Sequence, residues 1–379
     1  MVTIGDVVRT IEECYPLSYQ ESYDNSGLQV GDVTQPLRGI MLAVETTEAV
    51  LKECLQRGCN LLISHHPILF RGLKRITPAT YQERCVAFAL KNNIAIYACH
   101  TSADNEMTQG VNHYLANLIG LKREGRRPMM PQRGCFYKLQ TYIPHSHADA
   151  LRTAYEEAGI GSLGGYTGCS YSCSGVGRFR PGAETHPAIG THGALEAVEE
   201  EMISVLVPQE RLSQAIATLV ATHPYEVPAY EVIPIVMDHP TSGLGVIGEL
   251  PSALTPQELL EHLATLPAVE RIAYSNPPTQ PIRRIALCGG SGGGHEFIGE
   301  AMRSGAEVYI TGEAKYNDYL DVQGHLWLIT LGHFESEHCT RTTGLTHYNS
   351  ISKISSGVIR ESFFLRRSVD VALSLSLSR

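Results

Sequence analysis

Six side chains able to bind metal sit just past three strand-like segments. His65 and His66 follow 60–64 (NLLIS), His100 and Asp104 follow 94–99 (IAIYAC), and His333 and Glu337 follow 326–331 (LWLITL). Ligands of open α/β sheets bind outside the carboxyl ends of the strands. Imidazole with carboxylate suits Zn, Fe, Mn, Ni or Co better than Ca or Mg. Side chains alternate faces along an extended segment, so the adjacent His65 and His66 can reach two different ions from the loop that ends their strand. A carboxylate such as Glu337 can bridge both. Ion pairs about 3.5–4 Å apart activate a water for attack on a phosphoryl or carbonyl-type centre. One histidine at a strand end is ordinarily a capped or half-buried polar residue, but three strand ends furnished alike argue for a site. Of the six, His100 is read as orienting a ligand or shuttling a proton rather than binding metal.

The glycine run CGGSGGGH (288–295) offers a rival chemistry. Gly289 to Gly293 satisfies the G-x-S-x-G pattern of a nucleophile elbow, with Ser291 as nucleophile and Asp318 or Asp321 and then His333 as its partners. So dense a glycine cluster matches short patterns easily. A loop that turns backbone N–H groups toward an anion explains it as well. No G-x-x-x-x-G-K-[ST] loop occurs, which excludes a P-loop nucleotide hydrolase. His223 and Glu226 in THPYE (222–226) could bind a ligand, but a turn fixed by Pro224 is the plainer reading. Cys169 and Cys173 are four apart, the wrong spacing for a zinc knuckle.

The elements that would carry these residues alternate. Strand-like 38–44, helical 47–57, strand-like 60–64, helical 78–92, strand-like 94–99 and helical 108–119 imply βαβ units and a parallel sheet covered on both faces. After about 285 the grammar repeats, with strands 285–288, 307–311 and 326–331 and a helix over 314–322. GCNLLIS (58–64) lines up with GAEVYIT (305–311). The expected fold is α/β, a pseudo-duplicated three-layer core with parallel-rich sheets. Between the halves the order becomes βαββαβ: strand 137–143, helix 147–158, a glycine-rich 159–192, strand 196–207, helix 209–221 and strand 229–236. That order predicts an inserted ferredoxin-like α+β domain. Proline-rich 126–132 and 235–243 read as its linkers. The expected domains are 1–128 and 238–337 for the two halves of the core, 129–237 for the insert, and 338–379 for a tail.

Composition bounds the function. At 379 residues the chain is too long for one ordinary core. With 43% hydrophobic residues and 18% charged it is globular, and a net charge of −9 leaves no footprint for nucleic acid. No apolar run approaches a membrane span. The N-terminal segment carries Asp6, Glu12 and Glu13, unlike a secretory signal. The ten cysteines form no C-x-x-C pair, and reduced thiols in the cytoplasm are expected.

SYDNSGLQVGD (22–32), LLISHHPILF (61–70), CHTSADN (99–105), CGGSGG (288–293), YITGEAKYND (309–318) and GHFESE (332–337) closely resemble the type 2 GTP cyclohydrolase I homologues, the NIF-three-like dinuclear metal proteins. The match covers residue 1 to about 125 and about 240 to 337. HPYEVPAYEVIPI (223–235) looks like the PII-like or CutA-like insert of the longer bacterial members. The resemblance implies a toroidal homohexamer and two divalent ions per subunit held by His65, His66, Asp104, His333 and Glu337, with His100 and Thr101 beside them. It also implies a small-molecule or nucleotide substrate, opened by hydrolysis at the purine imidazole carbon. A non-catalytic, ligand-sensing hexamer with a regulatory insert is the competing reading. Two departures stand out. Asn317 and Glu313 replace the histidine and aspartate of the usual TGD-x-x-Y-H segment. The tail 338–379, with six basic and two acidic residues and nine serines, lacks the family's amphipathic helix and N-T-N-P-like ending. A shift of reading frame just after Glu337 is the expectation drawn from it.

Overall fold

A computed structural model describes residues 2–338. The tail, with the frame shift expected for it, falls from residue 339 onward outside the described residues. The chain divides into two units, Met1–Pro131 with Thr241–Arg379, and Gln132–Pro240.

The first unit opens with helix α1 (Ile4–Cys14). Thr3 and Asp6 cap it reciprocally, the Thr3 amide donating to Asp6 Oδ2 at 2.7 Å. Ile4, Val7, Val8 and Ile11, at helical spacing, form its buried stripe. Then come β1 (Gly27–Val30), β2 (Ile40–Ala43), α2 (Glu48–Gln56), β3 (Leu61–Ser64), α3 (Tyr81–Lys91), β4 (Ala95–Ala98), the one-turn α4 (Thr101–Asp104), α5 (Val111–Ile119) and β5 (Arg127–Arg133). The sheet runs β1-β4-β3-β2, with β2, β3 and β4 parallel and β1 antiparallel to β4. Strand neighbours serve opposite faces. Leu61 and Tyr97 pack with α1 and the start of α5, whereas Leu62 and Ile96 pack with α2 and α3. Helices on both faces suit the parallel strands, which are almost wholly apolar.

The second unit holds β6 (Phe136–Pro144), α6 (His145–Glu157), β7 (Tyr171–Phe179), β8 (Glu196–Pro208), α7 (Leu212–Thr222) and β9 (Tyr230–Ile235). Its sheet is antiparallel throughout, in the order β7-β8-β6-β9. Leu139, Ile143, Ile203 and Val205 face Leu151 and Tyr155 of α6 and Ala215 and Leu219 of α7. Both helices therefore cover one face of this sheet.

The chain continues with β10 (Asp238–Leu254), α8 (Pro256–Ala264), β11 (Ala273–Tyr274), β12 (Ile282–Cys288), α9 (His295–Arg303), β13 (Val308–Thr311), α10 (Tyr316–Asp321), β14 (Trp327–Thr330) and α11 (His333–Glu337). The six-stranded sheet is ordered β11-β14-β13-β12-β10-β5. Strands β12, β13 and β14 are parallel, and β11 is antiparallel to β14. This repeats the first sheet: three consecutive parallel strands, with an earlier strand running antiparallel beside the third. Leu115 and Ile119 of α5 pack with Leu287, Ile310 and Ile329 on one face, and Ile298 of α9 packs with Ala286 and Tyr309 on the other.

Both stretches read as linkers contain strand. Pro128 and Pro131 lie in β5, at the end of its sheet, and an edge strand tolerates proline better than an inner one. Pro240 lies in β10. Among the described residues no helix is long and apolar enough to cross a membrane.

Candidate metal centre

All six residues singled out from the sequence meet in one neighbourhood. His65 and His66 continue the line of β3, their amides still bonded to Ala43 and Val44 carbonyls of the neighbouring strand at 3.1 and 3.0 Å. His100 ends the loop after β4, and the single turn of α4 carries Asp104 back beside it. Gly332, at φ +101°, turns the chain after β14 into α11. That places His333 and Glu337 one helical turn apart on the same face.

Each of four imidazoles has its Nδ1 engaged. His65 Nδ1 donates to the Cys99 carbonyl at 2.9 Å. His66 Nδ1 is 2.6 Å from Glu45 Oε1, His100 Nδ1 is 2.7 Å from Asp24 Oδ1, and His333 Nδ1 is 3.2 Å from Glu313 Oε1. Asp24 is itself fixed by Ser26 Oγ and by the Thr101 amide and hydroxyl. For His65, His66 and His333 this leaves Nε2 turned inward, around Glu337. His66 Nε2 and His333 Nε2 lie 3.1 and 3.2 Å from Glu337 Oε2 and 3.3 Å from each other. His65 Nε2 lies 3.6 Å from Glu337 Oε1 and 3.7 Å from Asp104 Oδ1.

The donor atoms fit a metal ion. Four ligands at bond lengths of ~2.0–2.1 Å in a tetrahedron stand roughly 3.3 Å apart, close to these separations. His65 Nε2 and Glu337 Oε2 are buried and make no aligned hydrogen bond, a costly state for groups of this polarity. A metal ligand whose other ring nitrogen is held by a carboxylate or carbonyl is the usual arrangement of metal-binding histidines. Two groups of three, His65–His66–His100 and His66–His333–Glu337, are each close enough to hold an ion, and they share His66.

Electrostatics say the same. Burial would raise the Glu337 carboxyl, yet His65, His333 and His66 hold it well below the usual range. Burial works against protonation of His66, but Glu337 and Glu45 push it up to about 10. Glu337 beside His333 lifts that ring to about 9. Burial dominates at Asp104 and raises it. The cluster favours positive charge at its centre.

A cavity of about 370 Å³ opens over the cluster, walled by Tyr23, Phe70, Thr101, Cys288 and Ser291. The glycine run borders it. Three of its amides donate to side chains: Gly289 to Asn112 Oδ1 at 2.8 Å, Gly290 to Ser336 Oγ at 2.9 Å, and Gly292 to Thr311 Oγ1 at 3.1 Å. Gly290, at φ +64°, is where the absent side chain matters, since a Cβ there would stand 2.0 Å from Glu337 Oε1. Ser291 reaches the cavity, and two of the residues read as its partners, His333 and Asp318, are engaged elsewhere. His333 addresses Glu337, His66 and Glu313, while Asp318 accepts the Lys315 amide at 2.7 Å.

His223 and Glu226 serve local structure instead. His223 bonds the Tyr142 carbonyl at 2.9 Å and the Tyr225 amide at 3.1 Å, and Glu226 accepts the His186 amide at 2.9 Å. Cys169 is half-buried and Cys173 exposed, both as free thiols. The sequence reading missed Glu45 and Asp24. Glu45 lies two residues beyond β2, the same strand-end signal without a histidine. Asp24 lies in the SYDNSG segment, for which the sequence offered no strand-end signal.

The family model of Duf34/NIF3 (NGG1p interacting factor 3) matches residues 2–348. A GTP cyclohydrolase 1 type 2 homolog of Halalkalibacterium halodurans is 34% identical over 313 residues, 82% of either chain. One from Staphylococcus aureus is 32% identical over 356 residues, 93% of this chain and 95% of its own. The crystal structure of a Bacillus cereus protein related to NIF3 is similar to this fold at TM-score 0.81 and 29% identity, over 96% of this chain and 99% of that one. This chain belongs to the Duf34/NIF3 family.

Proposed function

We propose that this protein binds two divalent ions at the cluster around Glu337 and uses them to hydrolyse a small molecule. His65, His66, Asp104 and His333 would hold the ions and Glu337 would bridge them. The observation that carries this reading is the set of inward Nε2 atoms, each with its Nδ1 anchored, converging on a buried carboxylate. Zn, Fe, Mn, Ni or Co suits such donors. When bound, the ions supply Lewis acidity and lower the pKa of a water.

The chain's own groups have separate tasks. Glu45, Glu313 and the Cys99 carbonyl fix the rings of His66, His333 and His65, so the donors are set before a substrate arrives. Asp24 holds Nδ1 of His100 and orients the ring beside His65 and His66, where it would position a ligand or a reacting group. Tyr23 and Phe70 give the cavity aromatic sides able to flank a planar ring. The name carried by the curated relatives supports a purine nucleotide as substrate, with hydrolysis at its imidazole ring.

The same proposal extends to architecture. The repeated sheet pattern supports an internally duplicated core, and the β7-β8-β6-β9 order with two helices on one face supports a ferredoxin-like, PII/CutA-like insert. A cytoplasmic homohexamer completes it. Elemental analysis of the purified protein followed by a chelator-controlled screen of nucleotides and phosphoesters tests the reading. Two metals per subunit and turnover lost on chelation are expected. Metal retained without turnover would favour the non-catalytic sensor, and Ser291→Ala abolishing a chelator-insensitive activity would favour the serine hydrolase.

A further inference from the structure

The unit Gln132–Pro240 has a cavity of its own, about 710 Å³, on the face of its sheet that the helices leave open. Pleat alternation places it. Ile143 and Ile203 face α6 and α7, so Tyr142, Met202 and Glu200 face the other way, into the cavity. Opposite them on β7 the register sets Cys173 beside Met202 and Gly175 beside Glu200, with Gly177 and Phe179 on the same face. A strand pays for glycine in stability, and such glycines mark places where something approaches the backbone closely.

The two glycines have different reasons. A Cβ on Gly177 would stand 2.1 Å from Glu200 Oε2, so that glycine makes room for the carboxylate. A Cβ on Gly175 would meet nothing within 4 Å, and its backbone needs no positive φ. Nothing within the fold requires that residue to be bare. The space above it is open to the cavity.

Glu200 is the polar feature of this cavity. It is 7% exposed, accepts a hydrogen bond from Tyr225 Oη at 2.6 Å, and among the described residues pairs with no cation. The other charged groups nearby are spent or turned aside. Glu226 accepts the His186 amide and Arg180 donates to the Gly193 carbonyl, while Arg178, which also borders the cavity, belongs to the opposite pleat from Gly177. Apolar and aromatic side chains make up much of the lining, among them Phe179, Ile189, Met202 and Tyr225, the rings of Phe179 and Tyr225 being 5.6 Å apart. Glu200 lines the cavity, and a carboxylate there is an acceptor for N–H donors of a bound molecule.

We propose that this cavity binds a small planar ligand bearing N–H donors, an aryl amidine or amino-heterocycle. It would lie flat over Gly175, with its N–H edge on Glu200 and its ring against Phe179. The site is independent of the metal centre and of the reaction proposed there.

Benzamidine is the probe, titrated calorimetrically into the full-length protein, with benzoate as the anion of the same shape. Saturable binding at one site per chain is expected. Glu200→Gln should weaken it at least about tenfold, the loss of one charge-assisted contact, and Gly175→Leu by at least as much through filling the ligand's space. Benzoate should bind more weakly by a similar factor, and Glu337→Gln should bind benzamidine as the parent does. Thermal unfolding of both insert variants checks that they fold; Gly175→Leu adds its side chain to open space and keeps the test alive if Glu200→Gln does not. No saturable binding at millimolar benzamidine, equal binding of benzoate, or unchanged affinity in both variants would overturn the proposal.

Discussion

Two sets of buried histidines in this chain behave in opposite ways. His65 in the metal centre is 2% exposed, and His239 and His223 in the other unit are 5% and 7% exposed. Burial pushes every one of them toward the neutral form. His239, stacked on Phe136 with ring centroids 5.0 Å apart, goes down to about 4, and His223 also falls. His65 rises despite the same burial, because Asp104 and Glu337 stand beside it. Depth is therefore not what sets the charge of a buried histidine here. What sets it for His65 is the pair of carboxylates at its Nε2 side.

The largest break in that contrast is Glu337→Gln. The amide keeps the volume and removes the charge on which three imidazoles converge. Two-metal occupancy should be abolished while the far-ultraviolet circular dichroism stays native. Elemental analysis finding two ions per subunit in this variant would sink the bridging role. Gly290→Ala should come next. It places a Cβ 2.0 Å from Glu337 Oε1 and forces alanine to φ +64°, a backbone cost of about 1–2 kcal/mol before the clash is counted. Gly289→Ala is its control, with its nearest contact at 3.4 Å and no positive φ. A fall in metal content for Gly290→Ala alone is the expected result. Equal behaviour of the two variants would mean that the glycine run does not shape the site.

Much of this centre was legible because strand ends obey a short-range rule. NLLIS-HH, IAIYAC-H and LWLITL-GH each announce a buried strand and then a metal-capable side chain. The carboxylates behind the rings were not legible. Asp24 meets His100 across 76 residues, and no local pattern encodes that pairing. Gly290 gave a false lead, since glycine density suggests an anion loop or a nucleophile elbow. Its actual service, clearing space for Glu337, exists only once α11 is in place. The stretch 126–132 does hold the division between the two units, but its prolines gave no sign of the edge strand that it also forms. In the other unit, the alternation that bares Gly175 and Gly177 on one face depends on knowing the register with β8.

The carboxylates behind the rings sharpen the comparison further. Glu45→Gln should weaken metal binding by roughly 10–100-fold, the usual effect of losing such a support. Glu313→Gln should cost less, because Glu313 is more than half exposed and stands 3.2 Å from its ring, against 2.6 Å for Glu45. Competition with a chromophoric chelator measures both, and the reverse order would show that burial of the support does not set its worth.

The smallest effect is the one that isolates the neutral histidines. His239 has a folded-state pKa of about 4, below the ordinary ~6.5 of the unfolded chain. Between those values the unfolded chain binds the extra proton, so stability is full above about pH 6.5 and falls as the pH drops toward 4, by at most ~1.4 kcal/mol per pH unit for one group. Urea midpoints across this range should therefore decline with acid, and His239→Phe should flatten part of the decline. A metal-free Glu337→Gln background keeps the other histidines from contributing metal release to the same limb. If His239→Phe leaves the slope unchanged in that background, the ring is not held neutral by burial, and the contrast drawn between the two sets loses one of its sides.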